Sequence, residues 1–335
     1  MTTSKKVGIA GGILAIILVV LGIVSFSSAG QAASDYEKAF ASWNANEKPK
    51  LLAATAAQPE KMYAFEYDEV TTEQSLEFQK KGCDATEATL KTLKEADQKL
   101  PNVPMAFLGS LNDKYSSAQQ RAEERSKTLG AYTTKAIKAF EGLVADCQWN
   151  YGYNKGATPS HNAYDQAKTF MMKPGEAVGN VSCPASAKDG CIPTDPEKRK
   201  SYAEALKKFT AARATNVDTW FAKAECKQTA YGDEGCKKVH EAEKAYVAAF
   251  AAYADALAAQ SSDSPDVMAK AEARSATLRT EREITAARFN QLFPAKPVAA
   301  QEADRFNGTD AFFDAVYKAR IAELAAAQQP VKDLK

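Results

Sequence analysis

Large apolar residues recur every three or four positions along most of the chain after residue 35, with charged and small polar residues between them. The stretch after Gly235 shows this pattern clearly, with spacings of seven, four, three and four positions. Such spacing places the residues on one face of an α-helix, whereas a strand alternates apolar and polar positions. The residues that carry the pattern are Val239, Tyr246, Phe250, Tyr253 and Leu257.

Start and stop signals divide this pattern into several helices. Tyr36, Phe40 and Trp43 begin the first apolar face, and Pro49 and Pro59 interrupt it, which predicts two short helices. Ala, Lys, Glu and Gln are abundant and β-branched residues are few after position 30, so helix is favoured over strand. The longer helices are predicted over about 71–100, 110–147, from 196, after 235, over 265–293 and from about 309 to 330. The fold class is therefore predicted to be all-α, an elongated helical bundle.

Two of these helices carry a strong start signal. Thr194 or Asp195 supplies a capping side chain directly before Pro196, and Ser264 does the same before Pro265. Proline suits the first position of a helix, because the N–H that it lacks would be unpaired there. We therefore expect helices to begin at both prolines.

The N-terminal segment has the length and composition of a membrane span. Two lysines precede an uncharged run at 7–26, and about 20 apolar residues cross the hydrocarbon core as a helix. Gly8 and Gly12 form a Gly-x-x-x-Gly pair that favours close packing with a second transmembrane helix, although glycine is also common in membrane helices generally. We expect a signal-anchor with a cytoplasmic N-terminus and an exported remainder. The alternative is a cleaved signal peptide, cut near Ala32 among small residues, and a secreted protein.

The predicted organisation follows from this reading. Residues 1–6 form a cytoplasmic tail, 7–26 the anchor, 27–148 a first helical lobe, 149–195 a connector rich in Gly, Pro, Asn and Ser, and 196–335 a second lobe. The stretches AEERSKTL at 122–129 and AEARSATL at 271–278 resemble each other, which would make the lobes an internal duplication. Helices rich in Ala, Glu and Lys also match by composition alone, so both explanations stay open.

Six cysteines lie beyond the predicted anchor, and an even number in an exported chain predicts three disulfide bonds. Cys183 and Cys191 close a short loop that contains Pro and Gly, and Cys226 and Cys236 close another with turn residues. Cys83 and Cys147 remain as the third pair by exclusion. A simple hairpin that reverses at Pro101 does not bring those two cysteines level, so that pairing requires a bend or other partners.

Charge and motif content limit the function classes. The chain has 43 basic and 42 acidic residues, a net charge of +1, and therefore no strong field to attract nucleic acid. It contains only two histidines, His161 and His240, and none of the common nucleotide, hydrolase or metal motifs. A zinc site from Cys226, Cys236 and His240 is disfavoured, since the disulfide uses the same cysteines. We expect no cofactor, no metal and no catalytic residues.

Aromatic residues in the predicted connector are the candidate binding surface. Trp149, Tyr151 and Tyr153 occur close together with asparagines and a lysine, and Tyr164 follows. Aromatic side chains with a polar tip suit glycan and protein interfaces, although they also fill gaps between packed lobes.

The leading hypothesis from these observations is a membrane-anchored extracytoplasmic scaffold or accessory subunit of a cell-envelope complex. Its partners would be another envelope or membrane protein, bound by contact, and the membrane itself through the N-terminal helix, with no role in nucleic-acid binding. One alternative is a receptor for a small molecule or a cell-wall glycan through the connector aromatics. A second alternative is a hydrolase whose acidic residues are dispersed along the chain.

Overall fold

The structure is a computed structural model. The residues that it describes are 27–56, 72–97, 101–106, 109–178, 181–187, 190–299, 306 and 308–335. Helices dominate these ranges, as predicted, and one short β-hairpin is added. The hairpin pairs Ala177–Val178 (β1) with Val181–Ser182 (β2) in antiparallel register. The helices are α1 (27–46), α2 (Lys48–Ala56), α3 (Thr72–Asp97), α4 (Asp113–Lys168), α5 (Pro196–Phe221), α6 (Gly232–Ala259), α7 (Pro265–Leu292), α8 (Gly308–Ala327) and α9 (Gln329–Lys332), with a 3₁₀ turn at Gly109–Leu111.

Both predicted proline starts are confirmed. Asp195 caps α5 by accepting a hydrogen bond from the Lys198 N–H at 2.8 Å, and Ser264 caps α7 by accepting one from the Val267 N–H at 3.3 Å. Helix α6 begins at Gly232, four residues before the start predicted after Gly235. Gly232 has a φ of 64°, a left-handed conformation that glycine adopts without steric cost, so the turn closes there.

Helix α4 corrects the predicted boundary near residue 148. The helix continues to Lys168 and is 56 residues long, although its second half contains Gly152, Gly156 and Pro159. The expectation that irregular structure begins at residue 149 is wrong, because tertiary packing retains the helix where the local sequence disfavours it. Irregular structure follows Lys168, where the hairpin and an isolated bridge between Met172 and Cys191 occupy the segment before α5.

The described residues fall into two compact units. The first unit draws on the described residues within Met1–Gln58, Ala88–Phe140 and Ile321–Lys335, and the second on those within Pro59–Glu87 and Glu141–Arg320. The units therefore interleave along the chain, whereas the predicted lobes are consecutive stretches.

The core of the first unit contains the aromatic face predicted for α1. Tyr36, Phe40 and Trp43 are all buried, and the Arg125 guanidinium lies 3.8 Å from the centre of the Phe40 ring. The same guanidinium donates a hydrogen bond to Glu37 at 3.1 Å, so α4 and α1 are joined by charge as well as by apolar contact.

The core of the second unit is built largely from α5, α6 and α7, with α6 packed against both of its neighbours. Apolar residues at helical spacing meet there, as the sequence pattern predicts. The most deeply buried include Leu206, Phe209, Phe250, Leu257 and Val267.

Three disulfide bonds confirm the predicted pairs. They join Cys183 to Cys191, Cys226 to Cys236 and Cys83 to Cys147. The third bond forms without a tight hairpin, because α3 ends at Asp97 and α4 begins only at Asp113. A connection of that length allows α3 and α4 to be displaced along each other, so the position of Pro101 does not determine which of their residues lie level.

The predicted anchor at 7–26, with Gly8 and Gly12, lies outside the described residues. None of the helices in the described ranges combines the length and the apolar character needed to cross a bilayer. The alternative cleavage point at Ala32 falls inside α1, where that side chain is buried. Cleavage there would also remove Ala29, which packs in the same cluster as Ala32.

Candidate functional site

The aromatic residues predicted as a binding surface lie on α4 rather than in a loop. Trp149 is only 4% exposed and Tyr153 only 5%, whereas Tyr151 and Tyr164 are partly exposed. Trp149 and Tyr153 are therefore not available to a ligand at the surface, and the structure corrects their placement. Their positions four apart on a continuous helix put both rings on its buried face.

Trp149 is the centre of an aromatic cluster in the second unit. Its ring stacks on Tyr153 at 5.5 Å, and the edges or faces of several other rings surround it at 5.5 to 5.9 Å. Offset and edge-to-face pairs of this kind add to the free energy gained from burial. The surrounding rings are those of Trp220, Phe221, Tyr231 and Phe313. The cluster is packing between helices, which is the alternative that the sequence left open.

Two glycines of α4 permit this packing. A Cβ atom at Gly152 would collide with the Trp220 ring, and one at Gly156 would collide with the Asn216 amide. The glycines are four residues apart on α4, and the side chains that they admit are four apart on α5. The two glycines therefore leave space on one face of α4 for side chains of α5.

A polar cluster lies in the same core. Glu243 on α6 is 1% exposed and accepts hydrogen bonds from the Arg213 guanidinium of α5 at 2.7 and 3.0 Å. A buried carboxylate with two guanidinium contacts is compensated both in charge and in hydrogen bonding.

Glu281 on α7 is the second carboxyl in this cluster. It is 3% exposed, and burial, reinforced by the negative charge of Glu243, raises the pKa of Glu281 to about 7. One of its carboxyl oxygens has no hydrogen-bond partner, and the buried Tyr231 hydroxyl also has none. The positive charge of the Arg213 guanidinium lowers the pKa of Glu281, but this guanidinium is already paired with Glu243.

This cluster can bind and release one proton, because a neutral Glu281 removes the repulsion from Glu243. It does not offer two acids to a substrate, since both carboxyls are almost completely buried. Within the described ranges, no three His, Cys, Asp or Glu side chains converge in a way that would hold a metal ion. The convergence of Glu243 and Glu281 was missed in the sequence, where they are 38 positions apart in ordinary charged helices.

A third buried carboxyl, that of Asp146, is adjacent in the chain to the disulfide-bonded Cys147. Asp146 accepts hydrogen bonds from the Ala230 N–H and, at 2.9 Å, from the Arg320 guanidinium. Burial raises the pKa of Asp146 to about 6, although the Arg320 charge opposes the rise. Gly142 admits the arginine, since a Cβ atom there would collide with the guanidinium. This group joins distant segments of the second unit.

The two histidines do not form a catalytic or metal-binding pair. His240 stacks on the Phe221 ring at 4.7 Å, and its Nε2 lies 3.8 Å from an Asp218 carboxylate oxygen. Burial lowers the pKa of His161. The zinc ligands weighed with His240 are unavailable, because Cys226 and Cys236 are joined to each other.

A groove lies between α5 and α6. Its volume is about 460 Å³. Small and β-branched residues form most of its floor, and they recur three and four positions apart on both helices. The floor residues are Ala211, Ala214, Val217, Val247, Ala248 and Ala251.

Ion pairs mark both ends of this groove. Lys207 lies 3.0 Å from Asp255 at one end, and Lys244 lies 3.4 Å from Asp218 at the other. The carboxylates of Asp255 and Glu204 raise the pKa of Lys207 above its usual value. The groove therefore presents an apolar floor between two groups of mixed charge. The spacing of the alanines is the feature of the sequence that could have predicted the groove. The aromatic residues on the core-facing sides of the same helices give a stronger pattern, so the alanine spacing was not noticed.

Protein-family models, curated proteins and solved structures give no match to this chain.

Proposed function

We propose that this chain is a membrane-anchored extracytoplasmic scaffold or accessory subunit that binds another cell-envelope protein through the α5–α6 groove. The occupant of the groove is an amphipathic helix of the partner, which lays small apolar residues on the alanine floor and polar residues against the charged ends. The groove itself carries this proposal.

The dimensions of the groove support a helical occupant. From Lys207 to Asp218 the floor extends about three helical turns, or roughly 16 Å at 1.5 Å per residue. Helix-in-groove recognition uses anchors at this periodicity, and alanines on the floor allow a close approach of the two backbones. The ion pairs at the two ends favour one register, because a shifted helix would leave charged groups against its apolar face.

The disulfides support the location. Three disulfides are typical of an oxidising compartment, either extracytoplasmic or secreted. The apolar run at 7–26 behind two lysines supports retention on the outer face of the membrane rather than release. The burial of Trp149 and Tyr153 favours the scaffold hypothesis over a glycan receptor, since that receptor needs those rings at the surface.

Photo-cross-linking in intact cells tests the proposal. A photoreactive amino acid is placed in the full-length chain at Ala211 or Ala248, both of which are exposed in the groove. Ala273 is the matched control, because it is an exposed helical alanine on α7 that does not line the groove. We expect one discrete cross-linked membrane or envelope protein from the two groove positions and none from the control.

Bulky substitutions give a second measurement. Ala211→Trp fills the groove, whereas Ala273→Trp adds the same side chain elsewhere. We expect Ala211→Trp to weaken the binding free energy by about 1.4 kcal/mol or more. That change corresponds to at least a tenfold loss of recovered partner. Equal recovery from both variants, or cross-linking only at Ala273, would refute the groove as the binding surface.

A further inference from the structure

Two large apolar side chains project into solvent from one short part of the first unit. Met105 is 100% exposed, and Leu111, six residues later, is 67% exposed. Single exposed apolar residues are common on proteins, but two that are six positions apart in the sequence offer a surface that favours an apolar partner.

The segment that carries them is fixed by Tyr115. Its buried hydroxyl donates a hydrogen bond to the Pro104 carbonyl at 3.1 Å and accepts one from the Ala106 N–H at 3.3 Å. Asn112 caps α4 by accepting a hydrogen bond from the Tyr115 N–H at 3.1 Å. The residues on both sides of Met105 are therefore fixed by hydrogen bonds to Tyr115, and its side chain projects into solvent from a fixed backbone.

Gly109 is part of the same arrangement. A Cβ atom there would lie 2.5 Å from the Tyr115 ring, which is closer than real contacts allow. The turn at Gly109–Leu111 thus rests directly on the ring, with Leu111 on its exposed side.

This surface lies beside the first residues of α1. Ala29 and Ala32 pack with Tyr115, and Val103 and Ala106 contact the same cluster. From there α1 and α4 run side by side in the same direction, because Glu37 lies 2.8 Å from Arg121 further along both helices. Met105 and Leu111 are therefore at the end of the first unit where α1 begins.

The apolar run ends three residues before Ala29. Three residues span at most about 11 Å even when fully extended. If 7–26 crosses the bilayer, Phe26 is at the membrane boundary, and the Ala29 cluster lies within that distance of it. An interfacial element buries its apolar side chains about 5–10 Å into the boundary between headgroups and acyl chains.

We propose that Met105 and Leu111 insert into the lipid interface next to the anchor and fix the orientation of the first unit on the membrane. The inference rests on the proposed anchor, but not on the groove or its partner. The occupant is lipid, because Met105 and Leu111 lie beside the first residues of α1, which directly follow the run proposed to cross the membrane.

Site-specific fluorescence measures the insertion. All six cysteines are paired, so Met105→Cys or Leu111→Cys introduces the single reactive thiol for a polarity-sensitive fluorophore. The labelled full-length chain is reconstituted into phosphatidylcholine vesicles with normal or brominated acyl chains. Bromine quenches only fluorophores in contact with the acyl region, so we expect quenching at both positions.

Ser126→Cys is the matched control. Ser126 is exposed on α4, 13 residues beyond Asp113, or about 20 Å along the helix. Its label should remain in water and unquenched. Labels at 105 and 111 that remain aqueous in a chain resistant to alkaline extraction would overturn the inference. Labels shielded from water but not quenched by brominated lipid would also overturn it, in favour of a protein contact.

The two proposals fail differently. A chain that alkaline carbonate extracts from membranes contradicts both the anchor and the lipid-facing surface. Absence of a cross-linked partner at the groove, with quenching at 105 and 111, contradicts only the proposed binding surface.

Discussion

Replacing Glu281 with glutamine tests whether the buried carboxyl pair controls stability. In the folded protein Glu281 lies close to Glu243, whose charge is already balanced by Arg213. Glutamine keeps the shape of the protonated carboxyl and cannot ionise. The substitution therefore removes the electrostatic cost of Glu281 while it retains the packing around α7.

The size of the effect follows from the pKa. Folding raises the pKa of Glu281 from 4.5 to about 7, so between these values the folded state retains a proton that the unfolded state has released. Stability consequently falls as the pH rises through this window, by a total of about 3 kcal/mol. Asp146, whose pKa rises to about 6, also makes the stability of the folded state fall as the pH rises. Comparison of wild type with the variant cancels that second contribution.

Urea unfolding of the full-length chain in mild detergent, followed by tryptophan fluorescence, measures this difference. Between pH 5 and pH 8 we expect Glu281→Gln to gain about 2 to 3 kcal/mol relative to wild type. Glu283→Gln is the control, since it removes an exposed carboxylate two residues away on the same helix. A gap between wild type and Glu281→Gln that does not widen with pH, or that widens equally for Glu283→Gln, would refute the reasoning.

Two further substitutions test the packing and the covalent bonds. Gly152→Ala should destabilise the second unit by about 1 to 3 kcal/mol, because its methyl group displaces the Trp220 ring. Gly130→Ala is the control, since a Cβ atom there meets open space, and it should be neutral or stabilising by up to about 1 kcal/mol. Thermal unfolding measures both variants, and similar losses of stability for the two would contradict the packing argument. Replacing Cys226 and Cys236 by serine should lower stability by about 2 to 4 kcal/mol in urea, and an unchanged midpoint would show that the bond adds nothing.

Local signals in the sequence determined most of the helices. The apolar spacing along α6, together with the capping residues Asp195 and Ser264, identifies structure that depends on neighbours within one or two turns. The pairs Cys183–Cys191 and Cys226–Cys236 are equally local, because each closes a loop of 8 or 10 residues. Such features need no knowledge of the remaining fold.

Local reasoning fails where distant segments meet. The glycines and the proline after Cys147 indicate a loop, yet α4 continues, because Gly152 and Gly156 admit side chains of α5. That contact also buries Trp149, which the sequence places equally well at a surface or in a core. The chemistry of the residues is the same in both cases, and only their partners differ.

The sequence by itself determined the helical class and indicated an oxidising location, since these follow from composition, short-range spacing and the six cysteines. The anchor at 7–26 stays a prediction. Tertiary structure decided which polar residues converge and which apolar residues remain exposed. Packing between helices buries Glu281 near Glu243 and raises the pKa of Glu281, and hydrogen bonds to Tyr115 hold the segment from which Met105 projects. Packing energies depend on distances between atoms that are far apart in the chain, and no local pattern encodes those distances.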